Sequence, residues 1–344
     1  MASTQRRFIL WLGRDVGYHP RGYYRLARSL AQRFPTEVWG QPLAPVYIEG
    51  PLQRYLDPCT WEVLTQPPQG VPAYTLTKPL PLPSGGILIL TNPVAVFRAF
   101  LERKQPRIWD VWEDYPRNFR HDPVYSWAGR WLRRVGWAFL RWGVCGVERY
   151  WLAEYVYAPH FPLLRTRFFP NAFVPVEQAP PLLPDLVGTY ALYTGNLTQS
   201  WGVYEAVEKA AQEPYRPFVI AGSLKNPKEL HFIREKLRHH AAWLCIYGRF
   251  VPYPVIQNLQ RHAQVLYAFY QPLPHLVGKI PGKFYEAAAL GVPCAYRVGV
   301  SAAWDAFWRQ YREEGPVPSL WWSYYEPMLW EEAAVLWERF YEGG

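Results

Sequence analysis

The chain has little of what builds covalent or metal frameworks. Its four cysteines, Cys59, Cys145, Cys245 and Cys294, lie far apart, and no C-x-x-C spacing occurs. That excludes a disulfide scaffold and the usual zinc modules; the thiols read as reduced core residues of a cytoplasmic protein. No apolar run approaches the ~20 residues that a membrane span needs. Arg6-Arg7 is followed only by the short run Phe8 to Leu12, which is too short for a signal-peptide core and reads as a first strand. Acidic residues are fewer than basic ones, 28 against 37, and the net charge of +9 favours an anionic partner: a nucleotide, a lipid surface or nucleic acid.

Aromatics and prolines are plentiful, with Trp 18 and Pro 35 in 344 residues, and half of the chain is hydrophobic. Such a chain folds, and its length calls for two domains rather than one core. The opening reads β–loop–α–β: an apolar strand to Gly13, the loop Arg14 to Gly22, a helix from Tyr23 to Phe34 and a strand from Glu37 to Gly40. Residues 41–84 are dense in proline, with short strands expected around Trp61 to Leu64 and Tyr74 to Thr77. Gly86 to Thr91 and Ile108 to Val111 read as buried strands with a helix from Val94 to Arg103 between them, and Glu154 to Ala158 as a further strand. Pro175 to Pro184 suits a linker. Strands then alternate with helices again, at Tyr190 to Thr194, Phe218 to Ala221, Trp243 to Tyr247 and Gln264 to Tyr270. The pattern implies a second parallel sheet, with ligands at the strand C-terminal ends.

Three stretches carry chemistry. In Pro281-Gly-Lys-Phe-Tyr-Glu-Ala-Ala-Ala-Leu-Gly-Val-Pro293, Lys283 and Glu286 are i, i+3 neighbours in the first turn of a helix. A helix N-terminus and a lysine suit a phosphate, and a carboxylate can accept from a sugar diol; a surface salt pair is the alternative. In Ile108-Trp-Asp-Val-Trp-Glu-Asp-Tyr-Pro116, Glu113 and Asp114 follow a strand end, with His121 downstream. They are candidates for acceptor binding or a general base, against solvated or capping carboxylates. Ser126 to Gly146 interleaves tryptophan with arginine. Trp127, Trp131, Val135, Ala138 and Trp142 make one stripe and Arg130, Arg134, Trp137 and Arg141 another. Seven arginines between Arg117 and Arg149 face only Asp122 and Glu148. This pattern reads as an anionic-membrane surface helix. The alternatives are a Trp stripe in the core with solvated arginines, or a phosphate-backbone binder.

The wording P-x-K-x-x-E-x-x-A-x-G-x-P resembles the donor-site helix of group-one, glycogen-synthase-like glycosyltransferases, in a short P-x-K-x-x-E branch. Phe168-Phe-Pro-Asn-Ala-Phe173 resembles the segment that ends the family's N-terminal domain, with Ala172 in place of glycine. Trp330, Ala334 and Tyr341 resemble its terminal helix. The resemblance implies a GT-B fold, α/β, with two doubly wound Rossmann-like domains facing a central cleft and a C-terminal helix crossing back to the first domain. The implied divisions are 1–174 for the acceptor domain, 175–184 for the linker, 185–318 for the nucleotide-sugar domain and 319–344 for the returning helix.

It implies transfer of a sugar from a UDP- or GDP-sugar to a hydroxyl acceptor, a lipid-linked or envelope-polysaccharide precursor, with retention. Inversion is the alternative if Asp114 or Glu113 is a true general base. Donor contacts fall on Gly195, Asn196, Gly222, Ser223, Arg249, Phe250, Val251, Lys279, Lys283 and Glu286, and first-loop contacts on His19, Arg21 and Gly22. The acidic cluster at 110–114 belongs to the wrong domain for the diphosphate, so no metal is expected. The implied location is peripheral, on the inner face of the cell membrane, with no nucleic-acid partner.

Two departures stand out. Asn196 and Ser200 occupy the loop where the family carries an arginine and a lysine, and Gly278 replaces its first glutamate. These motivate the alternative of a non-catalytic, membrane-surface glycan- or partner-binding protein.

Overall fold

In the computed structural model, residues 6–15, 19–42, 44–75, 85–91, 93, 95–96, 99, 106–113, 115–121, 126–143 and 146–342 are described. Among them are thirteen strands. They are β1 Phe8–Asp15, β2 Thr36–Gln41, β3 Val46–Glu49, β4 Ala73–Thr75, β5 Ile87–Leu90, β6 Arg107–Val111 and β7 Arg149–Leu152. They continue with β8 Thr166–Phe168, β9 Ala191–Asn196, β10 Phe218–Ser223, β11 Trp243–Gly248, β12 Val265–Ala268 and β13 Cys294–Tyr296.

The chain divides into two units. The first comprises residues 1–42, 68–174 and 321–344, and the second residues 43–67 and 175–320. In the first unit the sheet order is β4-β2-β1-β5-β6-β7-β8, all parallel. The order reverses between β1 and β5, as in a doubly wound sheet. Its inner strands β5 and β6 are short runs buried on both faces, as central parallel strands must be, whereas the edge strand β4 is exposed. The helical run Pro20–Ala27 continues as Arg28–Ala31. The C-terminal helix Glu326–Trp337 is anchored to it: Ser29 donates to Glu326 at 2.5 Å, and the Trp330 indole donates to the Ser29 carbonyl at 2.7 Å. Glu332 pairs with Arg149 at 2.8 Å and Arg167 at 3.2 Å.

In the second unit the order is β13-β12-β9-β10-β11-β3. All neighbours are parallel except β3, which is antiparallel to β11. Here the order reverses between β9 and β12.

The structure corrects three expectations. Residues 43–67 belong to the second unit, because β3 closes the edge of its sheet and Glu49 holds Arg234 through both carboxylate oxygens. Trp61 to Leu64 is helical, within Pro58–Thr65, where Asp57 caps the first turn by accepting from Thr60 N–H at 2.8 Å. The strand expected at Glu154 to Ala158 lies earlier, at β7; Tyr155–His160 is a short 3₁₀ segment. Most of the helix expected over Val94 to Arg103 lies outside the described residues.

Candidate functional site

The second unit gathers its polar residues where the strand order reverses. Gly195, at φ 116°, is the last residue but one of β9. Gly222, its register partner, is the last but one of β10, and a Cβ there would lie 1.8 Å from the Gly195 carbonyl oxygen, so only glycine lets the two strand ends approach. The helix Gly282–Leu290 supplies Lys283 and Glu286, which are 6% and 8% exposed.

Lys283 and Glu286 do not pair with one another. Lys283 Nζ donates to the Thr194 carbonyl at 2.6 Å and lies 4.4 Å from the Tyr193 ring centroid and 4.9 Å from that of Tyr270. Burial lowers its pKa to about 8, against weaker upward pulls from Cys294 and Glu286. Glu286 accepts from the Tyr253 hydroxyl at 3.1 Å and from Gln260 Nε2 at 2.7 Å. Tyr253 and Gln260 are seven residues apart on the helix Tyr253–His262, hence on one face. Burial raises the Tyr193 and Tyr270 hydroxyls well above the usual range and pushes the Cys294 thiol up to about 12.

The other expected donor residues stand around this core. The Asn196 carbonyl accepts from the Tyr193 hydroxyl at 2.7 Å. Ser223 Oγ donates to the Arg249 carbonyl at 2.7 Å, which ties the ends of β10 and β11. Arg249 is exposed, Phe250 half-buried and Val251 buried. Lys279 Nζ lies 5.7 Å from the Trp201 ring centroid. Thr194, Tyr253 and Gln260 were not legible beforehand; the helical spacing of Tyr253 and Gln260 is the only signal that pointed to them.

In the first unit, a second cluster forms at the C-terminal end of β6. Arg21 Nε donates to both oxygens of Asp110 at 3.0 and 2.9 Å, and Nη2 adds a bond of 2.6 Å. Arg21 Nη1 donates to the Phe169 carbonyl at 2.6 Å. Asp110 is fully buried and also accepts from the Trp112 indole. Arg21, expected as a first-loop contact, is therefore taken up by a buried ion pair that binds the first helix to β6. His19 stacks on Trp112 at 4.0 Å between centroids, and its Nδ1 accepts from the Gly22 amide at 3.2 Å, capping that helix. Glu113 accepts from Asn118 at 2.8 Å, and His121 ends the helix Tyr115–His121, half-buried. Asp114 lies outside the described residues.

The helix Trp127–Gly143 has a clear polarity. Trp127 is 76% exposed, Trp131 54% and Leu132 61%, beside exposed Arg133 and Arg134 and half-buried Arg130. Trp137, expected on the membrane surface, is instead the helix's core anchor. It packs 5.9 Å from Trp109 and 6.2 Å from Phe161 between centroids. The side chain of Arg141 lies outside the described residues. No helix among the described residues is long and apolar enough to cross a membrane, and no group of three or more His, Cys, Asp or Glu among them could hold a metal ion.

No protein-family model matches this chain, and no curated protein matches its sequence. Solved structures do resemble it. The catalytic domain of starch synthase IV from Arabidopsis thaliana, bound to ADP and acarbose, is similar over 98% of this chain and 99% of its own, with TM-score 0.50 and 9% identity. A UDP-GlcNAc 2-epimerase from Methanocaldococcus jannaschii, in complex with UDP-GlcNAc and UDP, is similar over 85% and 83%, with TM-score 0.47 and 10% identity. TarM from S. aureus is similar over 62% of this chain, with TM-score 0.41 and 11% identity; this chain spans 41% of that one. At such identities it is the fold that is shared, the two-domain α/β GT-B fold.

Proposed function

We propose that this chain is a glycosyltransferase that takes a sugar from a nucleotide-sugar held by the second unit and passes it to a hydroxyl acceptor. One observation carries the reading: a buried lysine and a buried glutamate stand one helical turn apart, the lysine bonded to the Thr194 carbonyl near the end of β9, where the strand order reverses. Open α/β sheets bind nucleotides at that point.

The chemistry of the residues supports it. The departing diphosphate needs positive charge in a water-poor place. Burial lowers the Lys283 pKa to about 8, which leaves the ammonium the main form at pH 7. Its ammonium has three donors, and the Thr194 carbonyl takes one. Glu286 spends one acceptor position on each oxygen and keeps a second on each for a ribose diol. Arg249, which follows β11, and Lys279, beside Trp201, are further cations. With this charge the donor, a UDP- or GDP-sugar, is handled without a metal.

The acceptor side is assigned to Glu113, Asp114, His121 and His19 in the first unit. The exposed Trp127, Trp131 and Leu132 among arginines support a lipid-linked or envelope-polysaccharide acceptor at the inner face of the membrane. Retention of configuration and the short P-x-K-x-x-E branch rest on resemblance. The second reading, a non-catalytic glycan- or partner-binding protein, is favoured by Asn196 and Ser200 standing where the family has two cations.

A thermal-shift screen with UDP, GDP, ADP and dTDP and their sugars, with and without EDTA, separates the two. Stabilisation by one nucleotide, unchanged by EDTA and lost in Glu286→Ala, is the expected result; saturation at a hundred times Kd contributes about 2.7 kcal/mol. No shift with any nucleotide would put the second reading ahead.

A further inference from the structure

The opposite end of the first unit's sheet carries a cavity of about 620 Å³, lined by Arg7, Gln32, Arg33, Glu37, Pro72 and Tyr74 among others. Arg7 precedes β1, Glu37 is the second residue of β2, and Pro72 precedes β4. The cavity therefore lies where three parallel strands begin, away from the strand C-terminal ends that hold His19, Asp110 and Trp112.

Its lining is built rather than incidental. Glu37 is 6% exposed. Its Oε1 accepts from the Trp39 indole at 2.7 Å and pairs with Arg7 Nε at 3.2 Å; among the described residues no hydrogen bond to Oε2 occurs. A carboxylate oxygen at the wall of a cavity can accept from a ligand donor. Trp39 and Tyr74 are register partners on β2 and β4, and their rings stack at 4.8 Å and 25°. Tyr74 is 44% exposed, so this platform offers an aromatic face. Arg33 is set over the Trp330 ring at 4.1 Å, which fixes a guanidinium at the rim.

A ligand here must donate to Glu37, accept from arginine and lay a weakly polar face on Tyr74. Phosphate is disfavoured by Glu37, and a simple cation by Arg7 and Arg33. A pyranose meets all three demands: its hydroxyls donate and accept, and its C–H face packs on an aromatic ring. The volume falls in the range of small-molecule sites. We infer that this cavity is a carbohydrate site separate from the transfer site, which holds a segment of a neutral oligosaccharide. The inference stands whether the chain transfers sugar or only binds glycan.

Saturation-transfer NMR on the full chain with maltotetraose, cellotetraose, chitotetraose and mannotetraose tests it. At least one should bind, and Tyr74→Ala and Glu37→Gln should each raise its Kd about tenfold or more, the loss of roughly one contact worth 1.4 kcal/mol. The nucleotide-induced thermal shift should be unchanged in both variants, which separates failure here from failure of the donor site. Absence of binding by all four, or binding unaltered in Tyr74→Ala, would overturn the assignment. If Glu37→Gln loses its fold, Tyr74→Ala decides, because its half-exposed ring lies outside the core cluster of the first unit.

Discussion

The ammonium of Lys283 is enclosed by the Thr194 carbonyl and the rings of Tyr193 and Tyr270, and that enclosure opposes its charge. With a folded pKa near 8 against 10.5 for the ordinary side chain, the unfolded chain binds more protons between those values. Stability from this residue therefore rises with pH across the window from 8 to 10.5. Its charge costs about 3 kcal/mol at neutral pH and about 2 kcal/mol less at pH 9.5. Urea unfolding at pH 7.5 and 9.5 should show that slope in the wild type and not in Lys283→Met; equal slopes would refute it. Lys283→Met should also abolish the nucleotide-induced thermal shift.

Asp110 is a second test at this scale. Asp110→Leu should cost 3–5 kcal/mol by leaving Arg21 buried and unpaired, roughly, and Arg21→Met with Asp110→Leu should recover most of it. Additive losses in the double variant would show that the pair is not the source. Lys283 and Glu286 were legible because a motif sets them one turn apart. Their separate partners were not, since periodicity names a helix face without naming what covers it. The pairing of Asp110 is not legible in the sequence, because its partner Arg21 stands 89 residues away.

The helix Trp127–Gly143 shows the same limit for a whole element. Its existence followed from 3.6-residue spacing, but tryptophans occupy both stripes, so the pattern left its rotation open. Packing settles it: Trp137 goes to the core, and Trp127 and Trp131 go to solvent. Trp137→Ala should destabilise the protein by about 3–5 kcal/mol, whereas Trp127→Ala should stay within about 0.5 kcal/mol; chemical denaturation distinguishes them. Vesicles of phosphatidylglycerol should sediment the protein. Changing Arg130, Arg133 and Arg134 to Glu should weaken that at least about 100-fold, near 1 kcal/mol per lost charge. Undiminished sedimentation would remove the membrane role. Pro58–Thr65 is a helix where a strand is expected, because β-favouring Trp61 and Val63 yield to an N-terminal cap.

For the whole molecule, the alternation of strands and helices made two mainly parallel sheets legible, and one division between the units falls at Pro175. The loan of residues 43–67 to the second unit was hidden, because one four-residue edge strand, β3, is too short to signal its partner. The first unit is completed by the last segment of the chain, which places Trp322, Leu329, Ala333 and Leu336 in its core. A chain ending at Leu320 should lose amide-exchange protection in β1 and β5 while β9 to β11 stay protected and nucleotide still binds. Equal protection in both sheets would contradict this.

That arrangement also sets an order of events during synthesis. The second unit has all of its segments once residue 320 is made, although most of it is encoded after the first. Phe8 to Leu12 must wait for Trp322 and Leu329. At 5–20 residues per second that delay is roughly 15–60 s. The sheet encoded first is thus the last to close. Nascent chains arrested once residue 320 has emerged should yield a protease-resistant second unit and a sensitive first one.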